Sequence, residues 1–254
     1  MGILYFIIVL AATTAGAIAG VGGGVIIKPA LDALGHYNVE TIGVLSSVAV
    51  LSMAIVSTAR RFIQGLKIDI KIVLLAIGAI AGGIAGKEIF YLLLGSIDAV
   101  IVKVVQSALI ALLMVIILFK NRIPKAHIKS LTVVFITGLF LGMLASFLGI
   151  GGGPVNVVVL YLLFNMDIRK AAVGSIFIIL MAQASKIVTI SLTGGFGGYD
   201  LGMLWYMIPA GITGGLLGSW LHHKISEKAI HILFDFTVGI VIVICIFNIV
   251  RALI

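Results

Sequence analysis

Charge is scarce in this 254-residue chain, and negative charge is scarcest. Nine Asp and Glu stand against 17 Lys and Arg, and charged residues make up 10% of the whole, where a soluble domain carries about 25%. That shortage excludes an ordinary water-facing surface. A lone cysteine, Cys245, excludes an intrachain disulfide and any need for an oxidising compartment. Basic residues are missing from the first 27 positions. A secretory signal peptide needs a positive n-region, so the opening apolar run reads as mature structure. Signatures of catalysis are also missing: there is no H-E-x-x-H, no G-x-S-x-G and no cysteine–histidine set, and "GSIF" at Gly174 is not a nucleophile elbow. The chain therefore does not read as an enzyme, and no cofactor is expected. His36, His127, His222, His223 and His231 fall at loops or span ends, and the adjacent His222 and His223 are not helically aligned. No metal site is expected from them. The formal net charge of +8 does not imply a nucleic-acid partner, because basic residues at membrane loops report topology.

What the chain does contain is apolar: 62% of residues, with a mean hydropathy of +1.31. Crossing ~30 Å of hydrocarbon takes about 20 helical residues. Runs of that size lie near 2–20, 41–65, 70–90, 99–119, 130–149, 170–193, 202–221 and 229–250. Two further runs, 25–34 and 155–164, are half that length, and each directly follows a triple glycine. Trp205 and Trp220 bracket one long run, as interfacial aromatic belts do.

The two halves repeat. Shifting the first by 129 places Gly20, Gly22, Gly23 and Gly24 on Gly149, Gly151, Gly152 and Gly153, and Ser46 on Ser175. Further along, a shift of 132 places Gly82, Gly83 and Gly86 on Gly214, Gly215 and Gly218. We therefore divide the chain into a first repeat, 1–119, a basic linker, 120–129, and a second repeat, 130–254. The linker "KNRIPKAHIK" carries four positive charges and is placed in the cytoplasm. Lys67 and Lys71, Arg169 and Lys170, and Lys224 and Lys228 mark the other turns on that side. "GGFGGYD", 194–200, has none and is placed outside. One parity satisfies all of these. In each half the first long run and the short run enter and leave on the same side, and three full spans follow. The second half is then inverted relative to the first. The expected architecture is an all-α polytopic membrane protein of two inverted repeats, each a glycine-tipped re-entrant or broken-helix hairpin plus three full spans.

The glycine tips are expected to meet near the midplane. Non-helical backbone at that depth is tolerated only inside protein or beside water. The short helices would present unpaired N–H groups and a partial positive charge there, an anion site needing no charged side chain. Pro154 suits the first turn of the second short helix. The glycines near 78–86 and 211–218 read instead as close helix packing.

"GVGGGVIIKPAL" and "LGIGGGPVNVVVLYLLFNMDIRKAAVGSI" resemble the two glycine-rich repeats of the TauE/SafE sulfite exporter family, over nearly the whole chain. The resemblance implies a multi-pass inner-membrane carrier of small anions such as sulfite, sulfoacetate and other organosulfur compounds. The repeats differ: "VLSS" at 44–47 stands where the second has "VGSI", and Lys28 and Pro29 stand where it has Val157 and Val158. An asymmetric site is implied.

Substrate-binding candidates are Gly22, Gly23, Gly24, Gly151, Gly152 and Gly153 at the tips, with Lys28 one turn beyond the first. Asn156 is a candidate amide donor in the first turn after the second break, although a cap or interhelical bond fits it equally. Ser46, Ser47 and Ser175 are hydroxyls that either face the tips or bond their own helix. Gln183 and Lys186 share a helix face. Lys186 either attracts an anion or snorkels to the outer surface. Arg60 and Arg61 read as cytoplasmic anchors, and Asp235 as either a lysine partner or a proton relay. The expected function is a secondary transporter, an exporter of a small sulfur or organosulfur oxyanion by alternating access. An anion channel or a carrier of a non-sulfur carboxylate is the alternative. The expected partners are the substrate anion and the lipid bilayer, and a homodimer is left open.

Overall fold

A computed structural model describes residues 1–65, 68–126, 128 and 130–253. Lys67, His127 and Lys129, used above for topology and metal assignment, lie outside the described residues. The chain is all helical. The first half holds α1 (Gly2–Ala19), α2 (Gly24–Leu34), α3 (Val39–Ile63), α4 (Ile70–Ser96) and α5 (Ala99–Leu118). The second holds α6 (Leu131–Leu148), α7 (Gly153–Leu162), α8 (Ile168–Thr193), α9 (Leu204–Lys224) and α10 (Glu227–Leu253). A single 3₁₀ turn, Lys120–Arg122, stands between them. Each half thus runs long, short, long, long, long.

Local chemistry accounts for the boundaries. Asn38 and Asp167 accept hydrogen bonds from Thr41 N and Lys170 N, capping α3 and α8. Gly20 and Gly149 stop α1 and α6 in left-handed conformations, φ 79° and 68°. Pro154 sits in the first turn of α7, where its missing N–H costs little. Pro29 lies inside α2, and its carbonyl is bonded by Asn248 Nδ2 from α10 at 2.9 Å.

Seven helices are long and apolar enough to cross a bilayer among the described residues. The sequence reading gave eight long runs. The difference is α9, whose 21 residues are diluted by four glycines and a His222–His223–Lys224 end. The outer surface is strongly apolar. Leu112, Phe140, Phe236 and Phe247 are more than half exposed, and so is Trp205 at one end of α9. Such a surface suits lipid rather than water.

Turns collect at two ends. At one, Tyr5 Oη lies 3.0 Å from His36 Nδ1, Lys87 Nζ donates to Thr193 Oγ1, and Arg251 bonds the carbonyl of Ala33. At the other, Ala126 N donates to Leu162 O, Lys71 Nζ to Ile128 O, and Arg169 to the carbonyls of His222 and Ile225. The α1–α2 hairpin opens at the first end and the α6–α7 hairpin at the second.

Glycine permits the closest crossings. A Cβ on Gly78, Gly82 or Gly86 of α4 would fall 2.4, 1.8 or 2.2 Å from backbone oxygens of α6. Gly211, Gly214, Gly215 and Gly218 similarly seat α9 on α1 and α3. These contacts bear out the packing reading. Gly83 is different, with nothing within 4 Å of its added Cβ. We expect Gly82→Ala to lower the melting temperature of the detergent-purified protein, a loss of about 1–3 kcal/mol from overpacking. Gly83→Ala should be neutral or stabilising by up to about 1 kcal/mol, as alanine outdoes glycine in a helix.

Candidate functional site

The two glycine turns press on each other. A Cβ on Gly24 would lie 2.7 Å from Ile150 O, and one on Gly153 would lie 1.8 Å from Val21 O. These contacts are reciprocal under the 129-residue shift. Gly22, Gly23, Gly151 and Gly152 all have φ between 71° and 79°, a region that strains any residue with a Cβ. Ser175 Oγ lies 2.7 Å from Gly20 O and 3.1 Å from Gly153 O, so one hydroxyl ties both turns. Backbone conformation and contact therefore require these glycines, independently of any ligand.

Beside the second turn is a polar shell. Lys28 is 2% exposed, and its Nζ donates to Gln106 Oε1 at 2.8 Å and to Asp32 Oδ2 at 3.4 Å. Its aliphatic stem runs against Gly149, where an added Cβ would lie 2.9 Å from Lys28 Cε. Lys103 Nζ approaches Asp32 Oδ1 at 3.7 Å, so one buried carboxylate serves two ammonium groups. Gln106 Nε2 donates to Phe147 O at the end of α6. Lys186 does not snorkel. Its Nζ reaches across to α3, donating to Ser47 Oγ at 2.8 Å and Gly43 O at 3.1 Å. Gln183 lies against Gly151, and its Oε1 is buried without a hydrogen-bond partner, as is Ser146 Oγ.

Two small cavities lie in this shell. One, about 20 Å³, is lined by Lys28, Lys87, Lys186, Gly149, Ser146 and Glu40, among others. The other, about 10 Å³, touches Gly151, Gln183, Lys186 and Ser146. A water molecule needs about 10–15 Å³, so each has room for about one water and not for a sulfur oxyanion. The arrangement is closed. Its charge nevertheless favours an anion, because Lys28, Lys87 and Lys186 line the larger cavity with Glu40 as its one lining carboxylate, and Asp32 stands behind Lys28.

The structure therefore gathers Lys28, Lys186, Gln183 and Gly151, with Ser47 bonded to Lys186. Gly22, Gly23, Gly24, Gly152, Gly153, Ser46, Asn156 and Ser175 line neither cavity. Asn156 is buried against Gly152 with Oδ1 unpartnered, and Ser46 Oγ is also buried without a partner. Sequence reasoning missed Asp32, Lys87, Lys103, Gln106 and Ser146. Asp32 was findable from its i, i+4 spacing to Lys28, and Lys87 as a charge late in a long apolar run. Asp235 pairs with the fully buried Lys120. Arg61 is not a surface anchor: it is buried, with Nη2 donating to Ala17 O at 2.9 Å. Among the described residues no group of three metal-ligating side chains occurs.

Removing one partner of a buried ion pair costs about 3–5 kcal/mol, whereas removing both costs far less. We expect Lys28→Met and Asp32→Asn each to lower the melting temperature, with the double variant recovering part of the loss. Additive losses would mean that the pair is not coupled.

The family model described as Sulfite exporter TauE/SafE matches residues 5–245, nearly the whole chain. No curated protein and no solved structure matches it. The matched span runs from the first hairpin through both glycine turns to the last helix, and the chain belongs to the sulfite exporter TauE/SafE family, a family of membrane transporters.

Proposed function

We propose that the chain is a secondary carrier that exports a small sulfur or organosulfur oxyanion, such as sulfite or sulfoacetate, from the cytoplasm across the inner membrane. The observation that carries this reading is the buried cavity of Lys28, Lys87 and Lys186 at the second glycine turn, in a family of sulfite exporters. Charge inside a span is expensive and marks a substrate path. Ammonium groups and a glutamine amide supply complementary donors for an oxyanion.

Alternating access fits two halves, 1–119 and 130–254, of opposite orientation about the linker 120–129. The inverted reading is supported by hairpins that open at opposite ends and by the reciprocal contacts of the turns. Placing the Lys71, Arg169 and linker end in the cytoplasm follows the distribution of basic residues. The site admits only water in this conformation, so loading requires the halves to separate at one end or the other. Outward movement of one negative charge gains ~2.3 kcal/mol per 100 mV when the inside is negative. Export then needs no coupling ion.

Purified protein in liposomes should move sulfite with saturation, and an imposed membrane potential should accelerate movement toward the positive side. Lys186→Met should lower kcat/KM about tenfold or more, the loss of one charge-assisted hydrogen bond, while Lys186→Arg retains part of it. Absence of sulfite and sulfonate flux in the wild type would reject the carrier. Flux that never saturates would identify a channel.

A further inference from the structure

Arg61, in the last turn of α3, is 2% exposed, yet Nε and Nη1 have no hydrogen-bond partner. None of the ion pairs among the described residues includes it. His222, in the last turn of α9, is fully buried. Its Nδ1 lies 2.6 Å from Ile18 O, so Nδ1 carries the proton and donates, and the unpartnered Nε2 is an acceptor in the neutral ring. Both side chains are moored to consecutive carbonyls, Ala17 O and Ile18 O, in the last turn of α1. Binding the orphan carbonyls of a helix end explains Arg61 Nη2 and His222 Nδ1. It leaves Arg61 Nε and Nη1 and His222 Nε2 unexplained, and a buried guanidinium without a counter-charge is costly.

His222 also lines a large cavity, about 460 Å³, at the end that bears Arg169. That cavity is basic. Arg169 anchors its wall through the carbonyls of His222 and Ile225, and His223 stacks edge-on against His222 with centroids 5.7 Å apart. Its two carboxylates are engaged elsewhere: Asp69 accepts from Lys71 N, and Asp167 accepts from Lys170 N and pairs with Lys170 Nζ at 3.3 Å.

The geometry points to a second oxyanion subsite, formed by Arg61 and His222 beneath the last turn of α1 and reached from the large cavity. It takes a small oxyanion that still carries one proton: Arg61 donates to the bare oxygens, and His222 Nε2 accepts from the protonated one. The inference rests on the carrier reading, for which it supplies the loading position at the Arg169 end, remote from the lysine cavity.

The test uses the full-length protein in vesicles of known orientation, with sulfite as the probe varied on one side at a time. Arg61→Gln and His222→Phe should each raise KM about tenfold for sulfite offered at the Arg169 end, one hydrogen bond to the anion lost, and leave KM at the opposite end unchanged. An unshifted KM at the Arg169 end, or equal shifts at both ends, overturns the subsite while leaving the carrier standing. Absence of wild-type flux overturns the carrier itself. If Arg61→Gln does not fold, the His222→Phe comparison decides.

Discussion

At the centre of the bundle two stretches of backbone touch with no side chain between them. Gly24 faces the carbonyl of Ile150, and Gly153 faces that of Val21. A hydrocarbon environment punishes any backbone group left without a partner, so two breaks at one depth survive only because each turn shields the other. Ser175 completes the arrangement by holding a carbonyl from each turn. The left-handed glycines and the short α2 and α7 that begin at them belong to the same contact. Side chains that would otherwise fill the centre are absent, which lets the stem of Lys28 and the amide of Gln183 lie directly on the second turn.

The buried cations are held by neutral groups and one carboxylate of the protein itself. Lys28 rests on Asp32 and Gln106, and Lys186 on a hydroxyl and a carbonyl. In the proposed carrier an incoming oxyanion must compete with these partners, which limits its affinity. That suits a carrier, since a site that binds tightly releases slowly. The internal carboxylate also keeps this shell foldable, because the buried Lys28 ammonium would be costly without a counter-charge. Cations recur at the other end, where Arg61 meets the last turn of α1. The protein thus places fixed positive charge on both sides of the central contact.

Much of this architecture is legible in the amino-acid order. The helices fall close to the apolar runs, the short elements follow the triple glycines, and Pro154 sits in a first turn. These features depend on length, hydropathy and backbone preference, all of which are local. The site was less legible because a linear run gives depth along a span but little about which way a residue points around it. Lys186 has a depth compatible with snorkelling, yet its helix turns it toward Gly43. Arg61 sits where an anchor belongs, yet faces inward onto α1. Asn156 and Ser46 have the right chemistry and the right depth but line neither small cavity. The triple glycines announced a special backbone correctly, but bare sequence does not distinguish a turn opened for a ligand from one pressed on another turn.

The central claim is that a small oxyanion is held by the lysines beside the second glycine turn. Selenite, a heavier analogue of sulfite, scatters anomalously and can be located directly in crystals of the protein grown in lipid. The account predicts an anomalous peak at hydrogen-bond distance, about 3 Å, from Lys28 Nζ or Lys186 Nζ, with Gln183 in contact. A well-ordered selenite bound only away from these residues, with the lysines still on Asp32, Gln106, Ser47 and Gly43, would contradict it.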